Sequence, residues 1–391
     1  MEKLNFLYCE PDLKNYEGHL FNTAKFISKE LLNLKDINLN FCLDENCHED
    51  ISKELKGLKI FTNRPKLKNQ YKKKYDFVKD FFLFNFYIFK GLRKIIKKNI
   101  NKNIIYFNTT QHIHLLSIIF ILIFYPKKIQ GCILTFRLSF IVQNKKVKRY
   151  YLYYFLIKFL EIFKSKIIIN TDTENILDQL NKFTKIKKKL MPIPHLTLCE
   201  SKENDIYISF IGSSRKEKKT YETLRQIFHS KEIHNLRSKI NFIIHGFGEE
   251  KNEIIELVNK FKNEFKINLR LMPLSFDEYY QDLKRSSISI FNYDNLHYQH
   301  QSSGTFAEAI FYNVIPVTSD NTWMSSIMIK SDLEFLIIKS DNDLNSIILE
   351  TVNKYEQKRL LIKEKFLEFK KFHTNKNFIY LLDKQIKELA L

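Results

Sequence analysis

Short apolar runs alternate with longer stretches in which apolar residues recur every third or fourth position, and this rhythm holds along most of the chain. It is the signature of parallel βαβ units: a strand buried on both faces is nearly all apolar, while its crossover helix is apolar on one side only. The first strand is predicted at 4–9, followed by a loop over 10–18 and a helix over 19–34. Further strands are expected around Phe41 and at 58–61, 104–107, 133–136 and 167–170. A helix over 71–99 carries aromatics on one face and lysines on the other. The segment MPIPHL, 191–196, holds prolines that remove backbone donors and turn their predecessors away from helix, so it reads as an interdomain linker. The alternation then restarts, with strands at 207–211, 241–245, 268–272, 287–291 and 314–318. Helices are expected from about Thr220 and over 249–265, 276–284 and 305–312.

This pattern divides the chain into an N-terminal Rossmann-like domain over 1–192 and a second over 193–365. The amphipathic residues 366–391 form a C-terminal helix that packs back on the first domain. A chain of 391 residues with 44% hydrophobic content suits two cores better than one. The longest apolar run, 113–125, is broken by His114 and Ser117 and is shorter than the roughly 20 residues that span a bilayer. The opening MEKLNFLYCEPD reaches acidic residues too soon for a secretion signal and reads as a strand. Cys9, Cys42, Cys47, Cys132 and Cys199 stand singly, which indicates neither a disulfide framework nor a zinc site and suits a cytoplasmic protein. Lys and Arg total 64 against 44 Asp and Glu, a net charge of +20 that favours an anionic partner without choosing among nucleic acid, phosphorylated substrate and acidic membrane.

The most informative stretch is SISIFNYDNLHYQHQSSGTFAEAIFYNVIPVTSDNTWM, 287–324: a strand, a polar loop, a glycine turn, a short helix and another strand. It aims the N-terminal amides of a helix at the carboxyl edge of a sheet, where Gly304 would let a phosphate approach the backbone and Glu308 would reach the vicinal hydroxyls of a ribose. The competing reading is that Thr305 and Glu308 form a capping box and nothing more. Upstream, YISFIGSSRKEKK, 207–219, is a strand, a glycine turn at Gly212 and a run of cations, which reads either as an anion grip or as a solvated turn.

The layout HQSSGTFAEA, from His300 through Gly304 to Glu308, resembles the C-terminal half of GT-B glycosyltransferases, especially retaining enzymes of the family-four type. A fainter similarity, through Gln301 to Thr305 and the later Trp323, is to bacterial transferases of 4-acetamido-fucose. The resemblance implies an α/β GT-B fold of two Rossmann-like, doubly wound domains facing across a cleft. It implies a nucleoside-diphosphate-sugar donor and no metal or other cofactor. Donor-binding positions carried over are Gly212, Ser213, Arg215, Lys219, His245, Gly246, Pro273, Leu274, His300, Ser302, Ser303, Gly304, Thr305 and Glu308. Arg215 and Lys219 would hold the departing diphosphate, with Lys218 able to share the role because Arg215 lies further from Gly212 than usual. Two positions depart from the family: His300 replaces its first glutamate and Asn313 its usual glycine.

In the first half, Glu17, Gly18 and His19 follow the first strand, and Thr109 and His112 follow the strand at 104–107, in places where the family has acceptor-side loops. Arg137 stands where many relatives carry a histidine. His19 and His112 fit either a site or an ordinary polar loop; retention needs no protein base, whereas inversion would call on Glu17, His19 or His112. The expected acceptor is a glycan or lipid-linked glycan of bacterial surface polysaccharide or lipopolysaccharide synthesis. The enzyme would lie on the inner face of the plasma membrane, held through the aromatic and cationic segments 71–99 and 145–166. Two other classes stay open, a degenerate GT-B scaffold and an RNA-binding α/β protein, although no nucleic-acid motif is present.

Overall fold

The computed structural model describes residues 3–15, 19–31, 37–62, 74–137, 141–142, 145–146, 150–194, 205–340 and 342–390. Glu17, Gly18 and Cys199 lie outside the described residues, as do Lys72 and Lys73. The chain forms two compact units, Met1–Pro192 with Phe378–Leu391, and Ile193–Asn377.

Unit 1 holds β1 (Leu4–Glu10), β2 (Ile37–Asp44), β3 (Leu58–Phe61), β4 (Asn103–Phe107), β5 (Ile129–Phe136), a small hairpin of β6 (Ile141–Val142) and β7 (Lys145–Lys146), then β8 (Ile167–Thr171) and β9 (Lys187–Leu190). Seven of these pair in parallel in the order β3-β2-β1-β4-β5-β8-β9. Side chains alternate across a strand, so each buried strand serves two cores. Leu7, Cys9, Ile105 and Phe107 pack beneath helices Lys74–Lys98, His112–Phe124 and Tyr150–Leu160. Phe6, Tyr8, Ile104 and Tyr106 face helices His19–Leu31 and Asn375–Ala390.

Two features of this unit differ from the sequence reading. Lys145–Lys146 pairs antiparallel with Ile141–Val142 instead of opening a helix, so the amphipathic segment begins at Tyr150 and tightens into a 3₁₀ stretch, Glu161–Lys166. The strand Lys187–Leu190 has no apolar run to announce it. It is an edge strand, where lysines are the expected chemistry, and Glu388 of the last helix pairs with Lys187 and Lys189.

Unit 2 holds β10 (Ile206–Phe210), β11 (Ile240–His245), β12 (Lys266–Arg270), β13 (Ile288–Phe291), β14 (Ile315–Ser319) and β15 (Ile337–Ile338), all parallel, in the order β12-β11-β10-β13-β14-β15. This is a doubly wound order that reverses between β10 and β13, and such a reversal leaves a crevice outside the carboxyl ends of those strands. The stretch before it is packed. Met191 donates from its backbone to the Thr171 carbonyl at 2.8 Å, Ile193 donates to His373 Nδ1 at 2.9 Å, and both side chains are buried.

Candidate functional site

The crevice of unit 2 is built on the turn after β10. Gly212 adopts φ +88°, a conformation glycine tolerates and L side chains resist. Its amide donates to His245 Nδ1 at 3.0 Å, and the His245 Nε2 proton points to Asp282 at 3.2 Å. Asp282 also receives two bonds from the Arg270 guanidinium, at 2.9 and 3.0 Å. His245 is fully buried, and burial pushes its pKa down against the pull of Asp282. The imidazole is therefore neutral, with its proton fixed on Nε2 by the two bonds. His245 stands behind the turn and holds it.

The second glycine turn, after β11, braces the first. Ser214 donates to the Phe247 carbonyl from its amide at 2.7 Å and its hydroxyl at 3.0 Å, while Glu249 donates back to the Ser214 carbonyl at 2.8 Å. Gly248 has φ +125°, and a Cβ there would lie 2.5 Å from the Ser214 carbonyl oxygen. Gly246 is needed for packing, since its Cβ would meet Leu269 at 2.9 Å. Neither glycine is aimed at the crevice from the front.

Lys218 is the cation brought to the Gly212 turn. Its Nζ lies 3.0 Å from where a Cβ on Gly212 would be, Thr305 Oγ1 lies 3.6 Å from the same point, and the ammonium sits 5.5 Å above the Tyr293 ring. Burial, with Arg215 as a second cause, draws its pKa down to about 8. Lys219 goes elsewhere. Its left-handed backbone, φ +50°, ends a 3₁₀ turn and starts helix Thr220–Phe228, and the residue lines a depression with Glu222, Thr223 and Asn292. Arg215 is partly exposed, donating to the Tyr298 hydroxyl at 2.9 Å and pairing with Glu217 at 3.2 Å. Ser213 is half-buried in the same turn.

The opposite wall is helix Gly304–Phe311. Ser303 caps it, accepting from the Phe306 amide at 3.3 Å, so the capping box expected from Thr305 and Glu308 does not form. Glu308 lies a turn further in, buried, and accepts from the hydroxyls of Tyr279 and, at 3.0 Å, Tyr280. Burial first, then the Glu308 carboxylate, pushes both phenol pKa values up. Both tyrosines come from helix Phe276–Arg285, which Ser275 and Glu278 cap reciprocally. Ser302 and His300 are half-buried in the loop before Ser303, and burial lowers the His300 pKa. Pro273 is exposed and Leu274 half-buried, after β12. Asn313 has φ +57°, which explains how it stands where a glycine was expected: asparagine tolerates the left-handed region better than other side chains.

Unit 1 presents a second polar cluster at the carboxyl ends of its strands. Arg137, after β5, bonds Asp172 at 3.1 Å and the Asn108 side chain at 3.3 Å, and Asn108 donates to Glu10 at 2.7 Å. The Tyr106 hydroxyl donates to Asn108 at 3.2 Å. Glu10, Asn108 and Asp172 are buried. The sequence reading singled out Arg137 and Thr109 but not these three, although each is a polar residue ending an apolar strand, in LNFLYCE, IIYFN and IIINTD. Thr109 is half-buried, directly after Asn108. His19 and His112 each open a helix, and the His112 ring meets Tyr153 edge-on at 5.2 Å. Among the described residues, no group of three or more His, Cys, Asp or Glu stands together as a metal site, and no helix is long and apolar enough to cross a membrane.

No protein-family profile matches the chain, and no curated protein matches it in sequence. Solved structures do match over its whole length. The N-terminal domain of the trehalose-6-phosphate phosphatase of Candida albicans is similar with TM-score 0.70 at 11% identity, covering 100% of this chain and 97% of that one. TarM of S. aureus, in a complex with Fondaparinux, alpha-GlcNAc-glycerol and UDP, gives TM-score 0.68 at 12% identity over 99% and 100%. HepE of Anabaena in complex with UDP-glucose gives 0.65 at 10% over 98% and 99%. At these identities the likeness establishes the fold, two Rossmann-like units of the GT-B type.

Proposed function

We propose that the chain is a glycosyltransferase that takes its sugar from a nucleoside-diphosphate-sugar donor bound in unit 2. The observation that carries this reading is the convergence of the Gly212 turn, the Lys218 ammonium, Thr305 and the N-terminus of helix Gly304–Phe311 at the strand-order reversal. A diphosphate there meets an open amide surface, a half-buried cation and the positive end of a helix, which together stabilise the charge that develops as the glycosidic bond breaks. Lys218 takes the role that the resemblance gave to Lys219 with Lys218 able to share it, and Arg215 turns from Glu217 to the outer phosphate. Glu308, oriented by Tyr279 and Tyr280, receives the ribose hydroxyls; Ser213, His300 and Ser302 border the sugar. The Pro273–Leu274 backbone meets the base. Neutralisation by these cations makes the reaction independent of metal. Supporting the reading, proteins of the same fold have been solved with UDP-glucose or UDP.

The acceptor belongs to unit 1, with Arg137 held in its Asp172–Asn108–Glu10 network and Thr109, His19 and His112 around it. It is a glycan or lipid-linked glycan, as in surface polysaccharide or lipopolysaccharide synthesis at an anionic membrane. The test is a panel of UDP-, GDP-, CDP- and TDP-sugars, with nucleotide release followed in EDTA. Release from one of them, reduced at least tenfold in Lys218→Ala without loss of fold, is the expected result. Release from none, with or without acceptor glycans, would leave a scaffold of the same fold.

A further inference from the structure

Three helices of unit 1 cover one face of its sheet side by side. Lys74–Lys98 packs on His112–Phe124, which packs on Tyr150–Leu160, and all three share one core with β1, β4 and β5. Their outer sides therefore look in the same direction. Among the described residues, seven of the nine exposed aromatic side chains lie on these helices, including Phe82 at 57%, Phe86 at 55%, Phe124 at 64%, Tyr151 at 67% and Phe155 at 66% exposure. A concentration of exposed aromatic side chains on one side of a folded unit marks a surface that is covered in use.

The first of these helices shows what covers it. Val78, Phe82 and Phe86 follow one another at i, i+4 spacing, and the same stripe continues through Lys90, Arg93 and Lys97, all exposed. One line along the helix is thus apolar in its first half and cationic in its second. We propose that this three-helix face is a docking surface for an anionic phospholipid bilayer. The aromatic half and the outer side of Tyr150–Leu160 would enter the acyl boundary, and the cations at the end of Lys74–Lys98 would lie among the headgroups. No helix need span, and none among the described residues is built to. A second copy of the chain is a poorer occupant: it would bring a partner of the same +20 charge against this cationic end. The proposal deepens the acceptor part of the reading above by giving it a lipid surface, but its measurement needs no turnover and so can fail separately.

Co-sedimentation with vesicles of phosphatidylglycerol and phosphatidylcholine, against phosphatidylcholine alone, tests it. Binding to the anionic vesicles should be at least tenfold tighter and should weaken as salt is raised. Phe82→Ser with Phe86→Ser should lower it at least tenfold, and Lys90→Glu with Arg93→Glu should do the same. These exposed positions should leave the melting temperature and nucleotide binding unchanged, and both are measured on each variant. Absence of binding to anionic vesicles at low salt would overturn the proposal. So would salt-sensitive binding that survives loss of the two phenylalanines, which would be plain cationic adsorption. A concentration-dependent dimer abolished by the same serine changes would give the face to a second copy instead.

Discussion

Lys218 and Lys219 are adjacent and chemically identical, yet the backbone sends one to the Gly212 turn and the other away. Spacing could not distinguish them, because the choice depends on a 3₁₀ turn closed by a left-handed Lys219. Glu308 was legible from its place after Gly304, whereas its partners were not: Tyr279 and Tyr280 arrive from a helix 29 and 28 residues earlier. The lowered Lys218 pKa predicts a pH effect. An ammonium whose pKa is drawn down to about 8 is charged below that pH and neutral above it, so affinity for a nucleoside diphosphate should fall as pH rises through 8. Lys218→Arg, which stays charged, should flatten this limb between pH 7 and 9. Calorimetric titration of wild type and variant over that range checks it; equal slopes would separate Lys218 from the anion.

The elements were more legible than the contacts between them. Long apolar strands such as Leu4–Glu10 and Ile240–His245 declared themselves, because strands buried on both faces leave little choice of residue. Lys187–Leu190 and Lys145–Lys146 did not, since edge and hairpin strands exist by pairing and carry no apolar run. HGFG, 245–248, was recognisable as a glycine turn, but its work is to clamp the Gly212 turn from behind, a long-range contact that no local pattern encodes. His245→Ala would leave both the Gly212 amide and Asp282 short of a buried partner, a loss of about 3 kcal/mol. The sign of the pH effect follows from the lowered pKa. Above the unfolded value of about 6.5 both states are neutral and stability is complete; below it the unfolded chain takes up a proton that the native His245 refuses, so stability falls with pH. Thermal melts at pH 5.5 and 7.5 should show this drop in wild type and a smaller one in His245→Asn. An unchanged drop would place its source elsewhere.

For the whole molecule, the two repeats of strand and helix could be read from the alternation of apolar and polar positions, while a break between them was suggested by the prolines of MPIPHL. The net charge of +20 favoured an anionic partner without identifying it; the half-buried Lys218 beside a glycine turn is what the proposed diphosphate site rests on. The polar cluster of Glu10, Asn108, Arg137 and Asp172 was harder to see, because its members come from the ends of different strands. The central claim, a diphosphate grip in unit 2, is tested most directly by titrating UDP, GDP, CDP and TDP and the matching nucleosides into the intact chain and into Lys218→Ala and Arg215→Ala. One diphosphate should bind and raise the melting temperature with the logarithm of its concentration once that exceeds Kd. Each variant should weaken that diphosphate at least tenfold while leaving its nucleoside nearly unchanged. If no diphosphate binds, or if both variants weaken nucleoside and diphosphate equally, the Gly212 turn is not a phosphate site and the account is wrong.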